Sequence, residues 1–247
     1  MEWIMRKLKR KLISFIVIIC ILGVLGYTAA AYVGCGLNLH IHTKAKEGQI
    51  KVACVGDSIT YGMAVMNWFE NTYPKQLQDL LGEDYHVQNY GFSGKTAQEN
   101  NKESYRATKL YEKSKAYNPD IVILMMGSND SKPYNFEGKE AFKQAEKELI
   151  EIYLGLESKP RLILATVNAG FFVHGATEGD YMYDINGENI LLVNEAITEL
   201  AEEYNLELVD TYALTKDHPE YYKIDGIHPN KDGAKAMAEA FYEQIIE

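Results

Sequence analysis

The chain has 247 residues, 47% of them hydrophobic and 24% charged, with 19 Gly and 6 Pro. That composition belongs to a globular chain with one good-sized core, and it excludes disordered, collagen-like and linker-dominated chains. The formal net charge of −10 is uneven: residues 1–43 carry five basic residues against Glu2 alone, a net of +4, which leaves −14 on the rest. So acidic a domain repels phosphate backbones, which argues against a nucleic-acid partner. No self-similarity at a period of 20–50 residues points to a solenoid or propeller.

The first element is a basic segment, residues 1–11, with Arg6, Lys7, Lys9, Arg10 and Lys11. Residues 12–37 follow without a charge. As a helix they would rise about 39 Å, enough to cross a hydrocarbon core of about 30 Å with tilt. Basic residues ahead of such a run keep the N-terminus in the cytosol, so the expectation is a single-pass anchor with the catalytic part outside. Two cleavage readings compete with it. Ala29-Ala30-Ala31 resembles a signal-peptidase site, and Val33-Gly34-Cys35 the end of a lipoprotein box, although Tyr32 stands where that box has Leu. Residues 38–48 read as a polar linker. His40 and His42 stand two apart there, a spacing open to a metal but ordinary for solvated histidines. Three cysteines, Cys20, Cys35 and Cys54, form neither a disulfide framework nor a zinc spacing, and Cys54 reads as a free core thiol.

From residue 49 strands and helices alternate. Residues 49–55 (QIKVACV) are β-rich, and 71–81 carry Leu77, Leu80 and Leu81 at helical spacing. Residues 86–90 form a second strand, and 97–117 read as a helix ended by Asn118-Pro119. Residues 120–126 (DIVILMM) are continuously apolar, as a strand buried on both faces should be. A helix over 139–155, a strand over 161–167, a helix over 188–204, a strand over 206–209 and a last helix over 231–246 complete the chain. That order predicts a parallel sheet of about five strands with helices on both faces, a three-layer α/β/α sandwich. The site of such a sheet lies beyond the carboxyl ends of the strands.

Four polar blocks stand at those places: GDSIT after the first strand, NYGFSG after the second, GSND after the third and DGIHP before the last helix. Serine is a weak nucleophile that needs a base within hydrogen-bond reach, and imidazole is the usual base near neutral pH. The imidazole needs an acceptor on its other nitrogen. Asp225 and His228, three apart in one turn, can form that pair. A tetrahedral intermediate needs donors at its oxyanion, which the N–H groups of Ser58 and Gly94 and the amide of Asn129 can supply. Gly56 and Gly94 read as places where a substrate oxygen approaches the main chain. Alone, Ser58 also reads as a helix N-cap, and Asp57 as a cap or a strut for the site loops. The G-x-S-x-G elbow of α/β-hydrolases is absent around Ser58.

Together the four blocks resemble those of the SGNH (GDSL) esterase and lipase family, over essentially all of residues 50–247 and in the same order; the domain read from them spans 49–247. The resemblance implies a flavodoxin-like fold with a five-stranded parallel sheet. It makes Ser58 the nucleophile and first oxyanion donor, Gly94 and Asn129 the other donors, His228 the base and Asp225 its partner, with no metal or organic cofactor. The stretch GSNDSKP at 127–133 is similar to a bacterial branch of carbohydrate and sialate O-acetylesterases. The loop 168–184 is aromatic, with Phe171, Phe172, Tyr181 and Tyr183, and reads either as a sugar-stacking surface or as a lid packed on the sheet; His174 lies within it. The expectation is a membrane-tethered, extracytoplasmic serine esterase that removes small acyl groups, O-acetyl above all, from a glycan. A lysophospholipase or thioesterase of the same family, and an inactive glycan-binding module, are the other readings.

Overall fold

The computed structural model describes residues 2–32, 38, 40–99, 103–170 and 181–247. After the N-terminal helix α1 (Glu2–Tyr32) the chain runs β1 (Ile50–Gly56), three helices α2 (Ser58–Tyr61), α3 (Trp68–Asn71) and α4 (Tyr73–Leu81), and β2 (Tyr85–Gly91). It continues through α5 (Lys109–Ala116), β3 (Ile121–Met125), α6 (Lys139–Leu154), β4 (Arg161–Ala165) and α7 (Gly187–Tyr204). β5 (Glu207–Val209), α8 (Thr211–Thr215) and α9 (Lys231–Ile246) end it.

The five strands form one sheet in the order β2-β1-β3-β4-β5, and every pair is parallel. Parallel neighbours need crossover helices, and those helices cover both faces. In β1, Ala53 and Val55 face a core shared with Leu110, Phe142, Leu149, Val193 and Leu200 of α5, α6 and α7. Val52 and Cys54 face the opposite core, with Leu77 of α4 and Met237 and Phe241 of α9. β3 is buried at all five positions, which accounts for its unbroken apolar run. Cys54 is a free thiol in that core, and burial pushes its pKa up. Cys35 lies outside the described residues.

Three expectations change. Among the described residues of the helix read over 97–117, the α-helix is confined to Lys109–Ala116, with a single 3-10 turn at Tyr105–Ala107 ahead of it. Ahead of it the chain is drawn across the sheet edge: Ala97 N and Gln98 N donate to the two carboxylate oxygens of Asp130 at 3.0 and 2.9 Å, and Thr108 caps the shortened helix. The linker is not a free polar stalk between residues 40 and 43. His42 Nε2 lies 2.9 Å from Asn89 O, Thr43 N donates to Gln88 Oε1 at 3.1 Å, and the His42 ring stacks on Tyr90. These contacts cover the outer edge of β2, where an open strand would invite foreign pairing. His40 and His42 stack on each other 5.4 Å apart, and burial lowers the pKa of both. Among the described residues no group of three His, Cys, Asp or Glu side chains could hold a metal.

The third change concerns the N-terminus. Among the described residues no helix is long and apolar enough to cross a membrane. Residues 33–37, the end of the uncharged run, lie outside the described residues.

Candidate active site

β1 lies between β2 and β3, where the direction of sheet growth reverses, so the loops after these strands open a crevice at their carboxyl ends. The first loop is a tight strand-to-helix turn. Asp57 Oδ1 accepts from Ile59 N at 2.9 Å, so the cap of α2 is Asp57, and Ser58 is the first helical residue with its hydroxyl left over. Gly56 does not serve substrate approach. A Cβ there would run into the Thr60 side chain and lie 2.6 Å from Met125 O, so its smallness lets β1 and β3 end side by side.

The turn before α9 is held from several sides. Lys223 N donates to His228 O at 2.9 Å, Gly226 N to Lys223 O at 2.9 Å, and Asn230 caps α9 through Asp232 N and Gly233 N at 2.8 and 3.1 Å. Within it Asp225 Oδ1 accepts from Ile227 N at 3.0 Å and His228 N at 2.9 Å. Asp225 Oδ2 lies 2.8 Å from His228 Nδ1, and His228 Nε2 lies 2.9 Å from Ser58 Oγ. Ser58 and His228, 170 residues apart, are both buried, 7% and 3% exposed. Burial acts to raise the Asp225 carboxyl. The hydrogen bond and charge of His228 and the two backbone donors outweigh it, so the pKa sits below its ordinary value. An ionised carboxylate only accepts, so Nδ1 carries the ring proton and Nε2 offers a lone pair to the Ser58 hydroxyl.

Gly94 and Asn129 line the same cleft as Ser58 and His228. Gly94 takes a φ of +79°, a conformation side-chain-bearing residues avoid. The N–H groups of Ser58 and Gly94 have no acceptor among the described residues. Asn129 is more engaged: its Nδ2 donates to Lys95 O at 3.1 Å and faces Asp57 Oδ2 at a long 3.4 Å. Burial raises the Asp57 carboxyl, against hydrogen bonds from Ile59 and Ser128. Asp57 and Asp130 act as struts: the first ties the loop after β1 to the loop after β3, and the second ties the latter to residues 97 and 98. Burial pushes the Asp130 pKa up to about 6 despite those hydrogen bonds.

The cleft measures about 240 Å³, and its remaining wall is Met63, Ser93, Ser128, Lys132, Tyr183, Ile185 and Ile227. Beside it Ile59, Ser128, Val167, Asn168, Ala169, Gly170, Ile185, Ile190 and Ile227 enclose a recess of about 10 Å³. Tyr183 packs edge-on against the His228 ring, centroids 5.5 Å apart, with an unusual φ of +62°. Tyr181 instead packs against Gly170 and Gly187, away from the cleft. Phe171, Phe172 and His174 lie outside the described residues.

Residues 54–236 match the GDSL-like Lipase/Acylhydrolase family. The chain belongs to this family of ester hydrolases. The GDSL-like chain is 32% identical over 214 residues to an acetylxylan esterase of Xylanibacter ruminicola, which covers 78% of this chain and 42% of that protein. It is 26% identical to a multidomain esterase of Ruminococcus flavefaciens over 80% of this chain and 28% of that protein. The chain thus spans less than half the length of either relative. A crystal structure of a carbohydrate acetylesterase family member from Sinorhizobium meliloti superposes with a TM-score of 0.68 at 20% identity, covering 80% of this chain and 97% of that one. At that identity the likeness speaks for the fold.

Proposed function

We propose that this GDSL-like hydrolase removes short acyl groups, O-acetyl first among them, from a glycan through an acyl-enzyme on Ser58. The observation that carries the reading is the relay Ser58–His228–Asp225, at 2.9 and 2.8 Å, opening into a small cleft. As Ser58 Oγ attacks the ester carbonyl, its proton passes to His228 Nε2, and Asp225 steadies the imidazolium. The N–H groups of Ser58 and Gly94 face the charge that develops on the carbonyl oxygen, joined by Asn129 once its amide turns from Lys95. His228 then protonates the departing sugar oxygen, and water attacks the acyl-enzyme by the same route in reverse.

Size supports the acetyl reading. The recess that shares Ser128, Ile185 and Ile227 with the cleft is mostly apolar and about as large as one water molecule, which suits a methyl group and not a fatty chain. The name of one relative, acetylxylan esterase, points the same way. The test is acetate release from acetylated oligosaccharides, beside kcat/KM for p-nitrophenyl acetate and octanoate. Acetate is expected to be favoured at least about tenfold, since each methylene that finds no room forfeits roughly 0.8 kcal/mol of burial. A preference for octanoate would bring forward the lysophospholipase or thioesterase reading. Sugar binding with no ester cleaved would bring forward the inactive module.

We also place the catalytic part outside the cytoplasmic membrane, tethered there or released by cleavage. The support is a basic cluster followed by residues 12–37 without a charge, with large side chains such as Phe15, Ile18 and Leu22 half exposed in α1. Water tolerates such a contiguous apolar surface poorly. In intact cells, added protease should digest the catalytic part, and fractionation should recover it with membranes or medium. Full protection from protease would refute the placement.

A further inference from the structure

The segment ahead of β1 reaches the site. Asn38 Oδ1 accepts from Ser93 N at 2.7 Å, and Ser93 stands directly before Gly94. The contact spans 55 positions and belongs to a longer docking. Asn38, His42 and Thr43 meet Ser93, Asn89 and Gln88 in turn, so the segment runs against the direction of β2 along its outer edge. Two rings fasten it. His42 stacks on Tyr90 with centroids 4.6 Å apart, and His40 packs edge-on against Tyr61 of α2 at 5.2 Å. Asn38 itself takes a φ of +50°, a left-handed conformation that Asn tolerates better than most side chains.

Ser93 and Gly94 are the central residues of the turn that follows β2. Phe92 N donates to Gly56 O at 2.9 Å, and Lys95 N closes the turn on Phe92 O at 3.3 Å. Gly94, third of the four, takes the positive φ that a type II turn requires there. The weak joint of such a turn is its central peptide. Turning that peptide over converts type II into type I and reverses the N–H of the third residue. Here that N–H is the second oxyanion donor, and its worth lies in its direction, since the donor must be aimed before the charge develops. The bond that closes the turn leaves the Ser93 N–H outside it, and Asn38 takes it up. A half-buried N–H without an acceptor favours any rearrangement that finds it one. The Asn38 bond removes that incentive at the peptide next to the joint.

We propose that Asn38 is a positioning residue of the esterase, which holds the turn at Ser93 so that the Gly94 N–H points into the oxyanion hole. The proposal rests on the esterase reading above. It makes the segment that reads as a linker in the sequence a working part of the site.

The experiment uses the full chain and p-nitrophenyl acetate. Asn38→Gly removes the acceptor and suits the left-handed backbone. It is expected to lower kcat about tenfold, less than the roughly 10²–10³-fold that follows deletion of an oxyanion donor, with KM within about twofold. The inhibition constant of trifluoroacetone, whose adduct with serine carries an oxyanion, should rise by the same factor as kcat falls. Asn38→Asp keeps an acceptor oxygen and the backbone conformation, and should recover most of kcat. Asn38→Ala replaces the Gly variant should that one not fold. An unchanged kcat overturns the proposal, and so does a loss confined to KM or one that Asp does not recover. If the wild type cleaves no ester, it is the esterase reading that fails, and NMR of the full chain labelled at glycine nitrogen then decides. Microsecond-to-millisecond exchange at the Gly94 amide that appears only on Asn38→Gly upholds the positioning, and equal relaxation in both proteins removes it.

Discussion

Replacing Ser58 with Ala is expected to lower ester hydrolysis by about 10⁶-fold, leaving only what the oxyanion donors and binding supply. The size of the loss follows from the relay: with the hydroxyl gone, His228 Nε2 has no proton to accept, and no acyl-enzyme can form. The fold should hardly notice. The hydroxyl contributes one hydrogen bond, to His228, worth about 1 kcal/mol, and in a domain of this size that moves Tm by about 2–4 °C. The cap of α2 belongs to Asp57 and survives the change. Rates on p-nitrophenyl acetate, the thermal midpoint and labelling by a fluorophosphonate check the expectation together. A folded Ser58→Ala variant that still turns over or still takes the label would remove Ser58 from the chemistry.

Much of the architecture that assembles this site is written in the order of apolar and polar residues along the chain. The strands are legible because parallel strands covered on both faces must be apolar along their length, as residues 121–125 are. The helix Lys139–Leu154 is legible because one stripe of it, with Phe142, Leu149 and Ile150, faces the core. The segment 97–108 is misleading for a definite reason. It is rich in helix formers, but a carboxylate over 30 positions away, that of Asp130, takes the N–H groups of residues 97 and 98. The docking of residues 40–43 on β2 is hidden in the same way, since its partners His86, Gln88 and Asn89 are distant in sequence. Each side chain of the relay sits in a local motif, so the blocks could be found one by one; what brings them together is the order of the strands. Ile185 sits in no such motif, and Lys132 and Tyr183, though part of the stretch 127–133 and of the aromatic loop 168–184, carry no signal there of facing Ser58. They become cleft residues only through the path of the chain after β3 and before α7, which no periodicity describes. Gly56 shows the converse: its place in a motif suggests contact with substrate, while the packing shows contact with Met125 O and Thr60.

Asp225→Asn tests the finest feature of the site, the choice of ring tautomer. The change keeps size and shape but replaces one acceptor oxygen by a donor. Asp225 Oδ1 accepts from Ile227 N and His228 N, so the amide oxygen of Asn must stay there, since the reverse orientation would set N–H groups against each other. The amide nitrogen then takes the place of Oδ2 and donates to His228 Nδ1. That selects the tautomer with its proton on Nε2, aimed at Ser58 and unable to accept from it. The expected result is a fall in kcat of about 10⁴-fold on every ester, with KM little altered, because the binding wall is untouched. Asp225 keeps a depressed pKa in the wild type, so its carboxylate is ionised at neutral pH, and the loss should appear across the whole neutral range. The ring proton can be followed by NMR: in the wild type it sits on Nδ1, and in the variant it should appear on Nε2. Adding Ser58→Ala to the variant should cost little beyond Ser58→Ala alone, because residues that act as one relay fail as one. Losses that simply multiplied would mean that Asp225 acts elsewhere than through His228.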